Sequence, residues 1–305
     1  MQNNYQTVVK CNWLIILLNL ANMKDVSFKW QWTKKDGKIK MSHLDTVLTI
    51  AGTDPSGGAG AMADLKSFQA RETYGMAVIT SIVAQNTQGV KSVMTVDGQM
   101  IRDQLDVVFE DIPPQAVKSG MLATPEMIKI VGEYLRKFKK PYILDPVMVA
   151  TSGDRLISEE AVEELKQELL PLATLFTPNL PEAEVLVSYP LKDELSIIKA
   201  GFEIQSKYQV KNVLIKGGHS SGKAKDFLFL EDEGLITLNS ERINTKHTHG
   251  TGCTFAAVCA AEMAKGRTVQ EAVQLAKAFI TCAIKTAPEL GHGNGPVNHV
   301  TFKGE

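Results

Sequence analysis

An α/β fold built on a mainly parallel sheet follows from three features of this 305-residue sequence. Short apolar, β-branched runs alternate with longer stretches of helical spacing from Leu44 onward. Such alternation implies strands buried on both faces and joined by crossover helices. Hydrophobic residues make up 44% and charged residues 22%, a globular balance that excludes a disordered or fibrous chain. No Pro/Ser-rich linker and no internal repeat divides residues 41–305, so one domain is expected there.

The elements read in order as follows. Val47 to Ala51 (VLTIA) is a buried strand that runs into a glycine-rich turn. Ala61 to Ala70 carries Met62, Leu65 and Phe68 at helical spacing. Met76 to Ala84 (MAVITSIVA) reads as one β-branched strand. Val117 to Met121, Tyr142 to Val147, Thr174 to Thr177 and Asn212 to Lys216 are further strand candidates. Helices are expected at Glu126 to Phe138, Glu159 to Leu169 and Ser196 to Tyr208. Two more, Ala-rich and apolar on one face, span Phe255 to Ala264 and Val269 to Ala287. Ligands of such sheets bind beyond the carboxyl ends of the strands, so the loops after strands carry the information.

Charge and cysteine content narrow the class. Lys plus Arg is 33 and Asp plus Glu is 34, a net charge of -1 without long single-sign blocks, which gives no nucleic-acid footprint. The 4 cysteines form no CxxC pair, so reduced thiols and a cytoplasmic address are expected. The first forty residues differ from the rest. Residues Cys11 to Met23 are apolar but too short to span a membrane. Lys10 mimics a signal-peptide start, yet no small-x-small cleavage site follows. Phe28 to Lys40 is basic and without clear period, and all 3 Trp lie at or before Trp32. Met41 reads as a natural start. Residues 1–40 are therefore read as an atypical leader, disordered or non-native, with a membrane anchor or a packing arm as alternatives.

Two phosphate motifs are decoys. Gly58, Gly60 and Ala63 fit G-x-G-x-x-A, but the turn Gly52 to Gly60 is too long and no acidic ribose partner follows. Gly217 to Ala224 matches a Walker A except for Ala224, where Ser or Thr must hold Mg²⁺, and a hairpin loop fits it better.

The strongest chemical signal is Thr248 to Cys253 (THGTGC), which opens directly into a helix. Its glycines free backbone N–H groups to face an anion, and the helix N-terminus adds positive partial charge, a cradle for a phosphoryl group. Cys253 in the first turn is expected to have a lowered thiol pKa and to serve as base or partner for a substrate hydroxyl; a buried thiol beside a plain glycine turn is the alternative. Cys259, amid alanines, reads as core. Asp145, at the end of YILD, is placed to face a metal. Asn179 and Glu182 follow a strand and fit either a ligand site or a helix capping box. Lys216 ends VLIK, where an ammonium can reach a phosphate. Gln85 offers a donor and an acceptor suited to a heteroaromatic edge, or is a polar loop residue.

Together TIAGTDPSGGAGAMADLKSF, AQNTQGV, GML, DPVM, TPNLPEA, KGGH, THGTGCTFAA and GHGNGPVNH occur in this order. The ordered set resembles the hydroxymethylpyrimidine and phosphomethylpyrimidine kinases of thiamine biosynthesis, ribokinase-like enzymes related to pyridoxal kinases, over residues 44–300. The resemblance implies a three-layer αβα fold, use of ATP and Mg²⁺, a small pyrimidine substrate and a homodimer. It implies that Asp64 and Gln85 hold the aminopyrimidine edge, and that Gly52, Ala59, Met121 and Val147 line its pocket. Asp145 and Glu182 would organise Mg²⁺; Lys216, Asn179 and Thr248 would bind ATP; Gly250, Thr251, Gly252 and Cys253 would form the catalytic loop. A pyridoxal kinase and a catalytically silent pyrimidine-binding protein are the competing expectations.

Overall fold

The computed structural model describes residues 33–35, 38–40, 44–148, 157–217 and 224–300. The chain divides into two compact units, Met1–His43 and Leu44–Glu305. The first contains strands β1 (Thr33–Lys35) and β2 (Lys38–Lys40), paired antiparallel. The apolar run of residues 11–23 lies outside the described residues.

The second unit is built on an eight-stranded sheet. Its strands are β3 (Thr46–Ala51), β4 (Tyr74–Ile79), β7 (Ala116–Ser119), β8 (Tyr142–Leu144), β9 (Leu175–Phe176), β10 (Val213–Ile215), β11 (Ala224–Leu230) and β12 (Gly234–Ser240). The spatial order is β12-β11-β10-β9-β8-β7-β3-β4. Neighbours from β10 to β4 pair in parallel, while β11 and β12 add an antiparallel edge. The expected mainly parallel sheet is therefore present.

Side-chain alternation along these strands divides the core in two. Leu48, Val117, Leu144, Phe176 and Val213 join one buried cluster with α2 (Gly98–Asp111), α3 (Pro125–Phe138), α4 (Glu159–Glu168), α5 (Leu180–Val187) and α6 (Glu194–Tyr208). Val47, Ala116, Ile143, Leu175 and Leu214 join the other with α7 (Thr251–Ala264) and α8 (Val269–Lys285), and Phe68 brings in α1 (Gly60–Ala70). Successive strand residues point to opposite faces, so near-continuous apolar strands with helices on both sides give three layers. Helix α7 is buried along nearly its whole length, and its alanines keep it thin enough to lie between sheet and neighbouring helices. Cys259 on it is fully buried in that core.

The run Met76 to Ala84 is not one strand. Thr80 breaks it: its N–H donates to the Ala51 carbonyl and its hydroxyl to the Met121 carbonyl, and Val96 N–H donates to its carbonyl. The chain then leaves the sheet to form a detached antiparallel pair, β5 (Ser81–Asn86) and β6 (Gly89–Thr95). Helix α2 and strands β6 and β12 were not expected from the sequence. In α2, Ile101, Leu105 and Val108 do recur at helical spacing toward the core, with the exposed Met100 and Val107 beside them, so the period was present in the sequence and passed over. Strands β10 and β11 flank the Walker-like stretch as antiparallel neighbours; residues 218–223 within it lie outside the described residues.

Candidate active site

Two glycine-bearing loops meet at the carboxyl end of the sheet. The first runs from β3 to α1. Asp54, without accessible surface, accepts from Ser56 N–H and hydroxyl at Oδ1 and from Gly58 and Ala59 N–H at Oδ2. This side chain folds the loop into a compact turn. Thr53 N–H donates to the Ser81 carbonyl and Thr53 Oγ1 accepts from Val83 N–H, which fastens the loop to β5. Gly52 lies against Met121: a Cβ at Gly52 would come 2.8 Å from the Met121 methyl. Ala59 is the extended N-cap of α1. Gln85 is half-buried on β5, where a register shift between Ala84 and Gln85 re-aims the strand.

The second loop is Thr248–Cys253. Gly250 is the left-handed N-cap of α7 at φ 81°, and a Cβ there would stand 1.7 Å from the Gly58 carbonyl oxygen. Only glycine meets both the backbone angle and this approach. Thr251 Oγ1 donates to the Thr248 carbonyl, closing the turn. A Cβ at Gly252 would lie 3.4 Å from Lys216 Nζ and 3.6 Å from Asp145 Oδ2. The glycine thus bares the amino end of α7 to an ammonium and a carboxylate at once.

Those charges are held by strand ends. Asp145 Oδ1 accepts from Lys216 Nζ at 3.1 Å and from Thr177 Oγ1 at 3.3 Å. Burial alone would lower the Lys216 pKa, but Asp145 and Glu182 outweigh it and hold the ammonium charged. Asn179 and Glu182 form the capping box of α5: Asn179 Oδ1 accepts from Glu182 N–H, and Glu182 Oε2 accepts from Asn179 N–H. Burial raises the Glu182 carboxyl, Lys216 opposes the rise, and Asp145 adds to it. Val147, just past Asp145, is a β-branched residue at φ 30°, a strained backbone of the kind stored at ligand sites. Among the described residues no group of three or more His, Cys, Asp or Glu is arranged to hold a metal.

Cys253 corrects one expectation. Burial pushes its thiol up to about 11, with Lys118 and the Gly60 N–H opposing and Asp64 and Asp145 adding to the rise. The helix N-terminus expected to give a thiolate does not overcome desolvation, so Cys253 is a thiol near neutrality. Asp64 has no accessible surface: its Oδ2 accepts from Lys118 Nζ at 2.8 Å and from Thr49 Oγ1 at 2.6 Å, while Oδ1 is buried without a partner. Asp64, in contact, and Asp145, further off, keep the fully buried Lys118 charged against the burial that opposes it.

Sequence reasoning missed Asp54, Lys118 and His249. Lys118 had a signal, a lone ammonium inside the apolar run Val117 to Met121. Asp54 had one too, since TDPSGG is a sequence for a carboxylate that caps its own turn.

The sequence model of the family described as phosphomethylpyrimidine kinase matches residues 54–298. The chain belongs to that family. It is 51% identical over 258 residues to a hydroxymethylpyrimidine/phosphomethylpyrimidine kinase of Staphylococcus aureus (strain MSSA476), spanning 84% of this chain and 93% of that one. Its fold is similar to the crystal structure of phosphomethylpyrimidine kinase from Clostridium difficile 630, with TM-score 0.69 and 42% identity over 78% of this chain and 98% of that one. It is also similar to an ADP complex of Bacillus subtilis pyridoxal kinase, with TM-score 0.79 and 39% identity over 85% and 98% of the two chains. The three-layer arrangement is thus the ribokinase-like fold of these kinases.

Proposed function

We propose that this enzyme transfers the γ-phosphoryl group of ATP to the hydroxymethyl oxygen of 4-amino-5-hydroxymethyl-2-methylpyrimidine, and then phosphorylates the monophosphate to the diphosphate. One observation carries the reading: at Gly252 the amino end of α7 faces Lys216 and Asp145, with Cys253 next in the chain. Backbone donors, a helix dipole and a fixed ammonium converge where charge develops on a transferring phosphoryl group.

Phosphoryl transfer through a loose transition state relies on alignment and charge more than on proton removal. Cys253, as a thiol, orients the acceptor hydroxyl. Lys216 holds nucleotide phosphates, and Gly250, Thr251 and Gly252 present the cradle, with Thr248 and Asn179 shaping its approaches. Gln85 reads the pyrimidine edge, and Asp64, expected there too but without accessible surface, holds Lys118 behind the pocket instead. Gly52, Ala59, Met121 and Val147 form the pocket wall. Asp145 and Glu182 are near enough that like charge contributes to the raised Glu182 pKa, a donor pair that suits Mg²⁺, which takes one or two carboxylates with phosphate and water oxygens. When bound, Mg²⁺ neutralises phosphate charge.

A homodimer and a cytoplasmic setting are part of the proposal. The apolar side chains of Ile82, Val93 and Met94 on β5 and β6 are exposed, and among the described residues no helix is long and apolar enough to cross a membrane. Pyridoxal kinases among its structural neighbours make pyridoxal the second acceptor to test. The test is turnover of the pyrimidine, its monophosphate and pyridoxal with matched ATP. The proposal expects the highest kcat/KM for the pyrimidine pair; preference for pyridoxal would overturn it.

A further inference from the structure

The two loops of the site are joined by a pair of side chains far apart in sequence. Asp54 Oδ2 stands 2.8 Å from His249 Nε2, and both residues are buried. Since an ionised carboxylate only accepts, Nε2 carries the proton in this contact. Asp54 reaches Ser56, Gly58 and Ala59 in its own loop, so His249 is its one partner from the other loop. The approach is close on every side: a Cβ at Gly58 would fall 2.6 Å from His249 Cδ2, and a Cβ at Gly250 would strike the Gly58 carbonyl.

His249 is anchored from behind as well. Its N–H donates to the Gly295 carbonyl at 3.0 Å and its carbonyl accepts from Val297 N–H. The same C-terminal segment grips the β5–β6 turn, where Asn294 N–H donates to the Thr87 carbonyl and Gly293 N–H to Thr87 Oγ1. Thr87 is two residues from Gln85. A continuous chain of contacts therefore runs from the Gln85 hairpin through His249 and Asp54 to the amino end of α1.

We infer that the Asp54–His249 pair is a positioning device that sets the register between the acceptor loop and the phosphoryl cradle, so that the γ-phosphoryl group passes to the organic hydroxyl and not to water. The inference rests on the proposed function. In productive transfer the acceptor oxygen bonds to the γ-phosphorus as the bond to the bridging oxygen breaks, its electron pair leaving with ADP and the hydroxyl proton passing to solvent. With the loops out of register, water takes the acceptor's place and the products are ADP and inorganic phosphate. Neither side chain is assigned a contact with the substrate; both act through the loops they hold.

The experiment measures ADP and phosphorylated pyrimidine together for full-length wild type, His249→Leu and His249→Gln, below the melting temperature of each. In His249→Leu, kcat for transfer should fall about 10- to 100-fold, the scale of a small misplacement of reacting groups. The KM for ATP should stay within about threefold, because the cradle itself is intact. The ratio of ADP to phosphorylated product should rise above that of wild type, and His249→Gln, which keeps an N–H donor for Asp54, should restore it in part. A purely structural pair would lower the melting temperature and leave the ratio alone. A wild-type ratio and kcat in folded His249→Leu would overturn the inference. Should that variant not fold, the same readouts on His249→Asn, whose shorter amide falls short of Asp54, decide it by the same criteria. Absence of any pyrimidine phosphorylation by wild type would instead overturn the reading beneath it.

Discussion

Cys253 shows how one residue's setting changes its chemistry. A thiol held near 11 by burial cannot rest as a base at neutral pH. Cys253→Ala should therefore cost roughly tenfold in kcat, well under the 10²- to 10⁴-fold that a general base supplies. Steady-state kinetics check this, and a loss above about 100-fold would restore the base. Alkylation of Cys253 should be slow at neutral pH and rise about tenfold per pH unit up to about 11, because only the thiolate reacts. Gln85→Leu should raise the pyrimidine KM roughly 5- to 150-fold and leave that for ATP unchanged, the effect of losing 1–3 kcal/mol of paired polar contact. Gln85, Lys216 and the glycines around Cys253 were readable as candidates because motif position and side-chain chemistry agree there. The direction of the Cys253 shift was not readable: it depends on how deeply other elements bury the thiol, with Asp64 and Asp145 adding to the rise and Lys118 and Gly60 opposing it. His249 was in view within THGTGC, but its partner lies 195 residues away.

Among the elements, those with both a clear period and a burial requirement were legible. Strands β8 and β10 are continuous apolar runs, β3 is interrupted only by threonines, and α3 begins at Thr124 and Pro125, a cap and a first-turn proline. Thr80 was not legible as a break, because nothing in MAVITSIVA marks the carbonyls of Ala51 and Met121 that hold it. Helix α6 offers a test of packing at this scale. Gly201 faces the ring of Phe229 so closely that a Cβ would fall 2.1 Å from Cζ. Gly201→Ala gains helix propensity of under about 1 kcal/mol but overpacks the interface by about 1–3 kcal/mol. Denaturant melts should show net destabilisation with kcat unchanged; equal or greater stability would mean that the ring moves aside without cost.

For the molecule as a whole, every residue assigned to the site lies after position 51. A chain starting at Met41 should keep the full-length kcat, and a large drop would give residues 1–40 a catalytic part. Acid stability follows from His299, whose Nε2 meets Thr254 Oγ1 in the interior and whose imidazole is pushed down to about 4 by burial. The unfolded chain takes up this proton near pH 6.5, whereas the folded one refuses it until about 4. Stability is thus fully present above pH 6.5 and falls with pH toward about 4, by up to about 3 kcal/mol. His299→Gln should flatten the melting profile in that window; an unchanged slope would assign the acid loss to other groups. The detachment of β5 and β6 from the eight-stranded sheet has a further consequence for how the molecule fluctuates. A two-stranded ribbon is marginal by itself, so its persistence depends on the few ties from Thr53, Thr80 and the C-terminal segment. Its opening is a local event with a free energy below that of global unfolding, which lets amide protons on the Gln85 ribbon exchange with solvent while those of β3 stay protected.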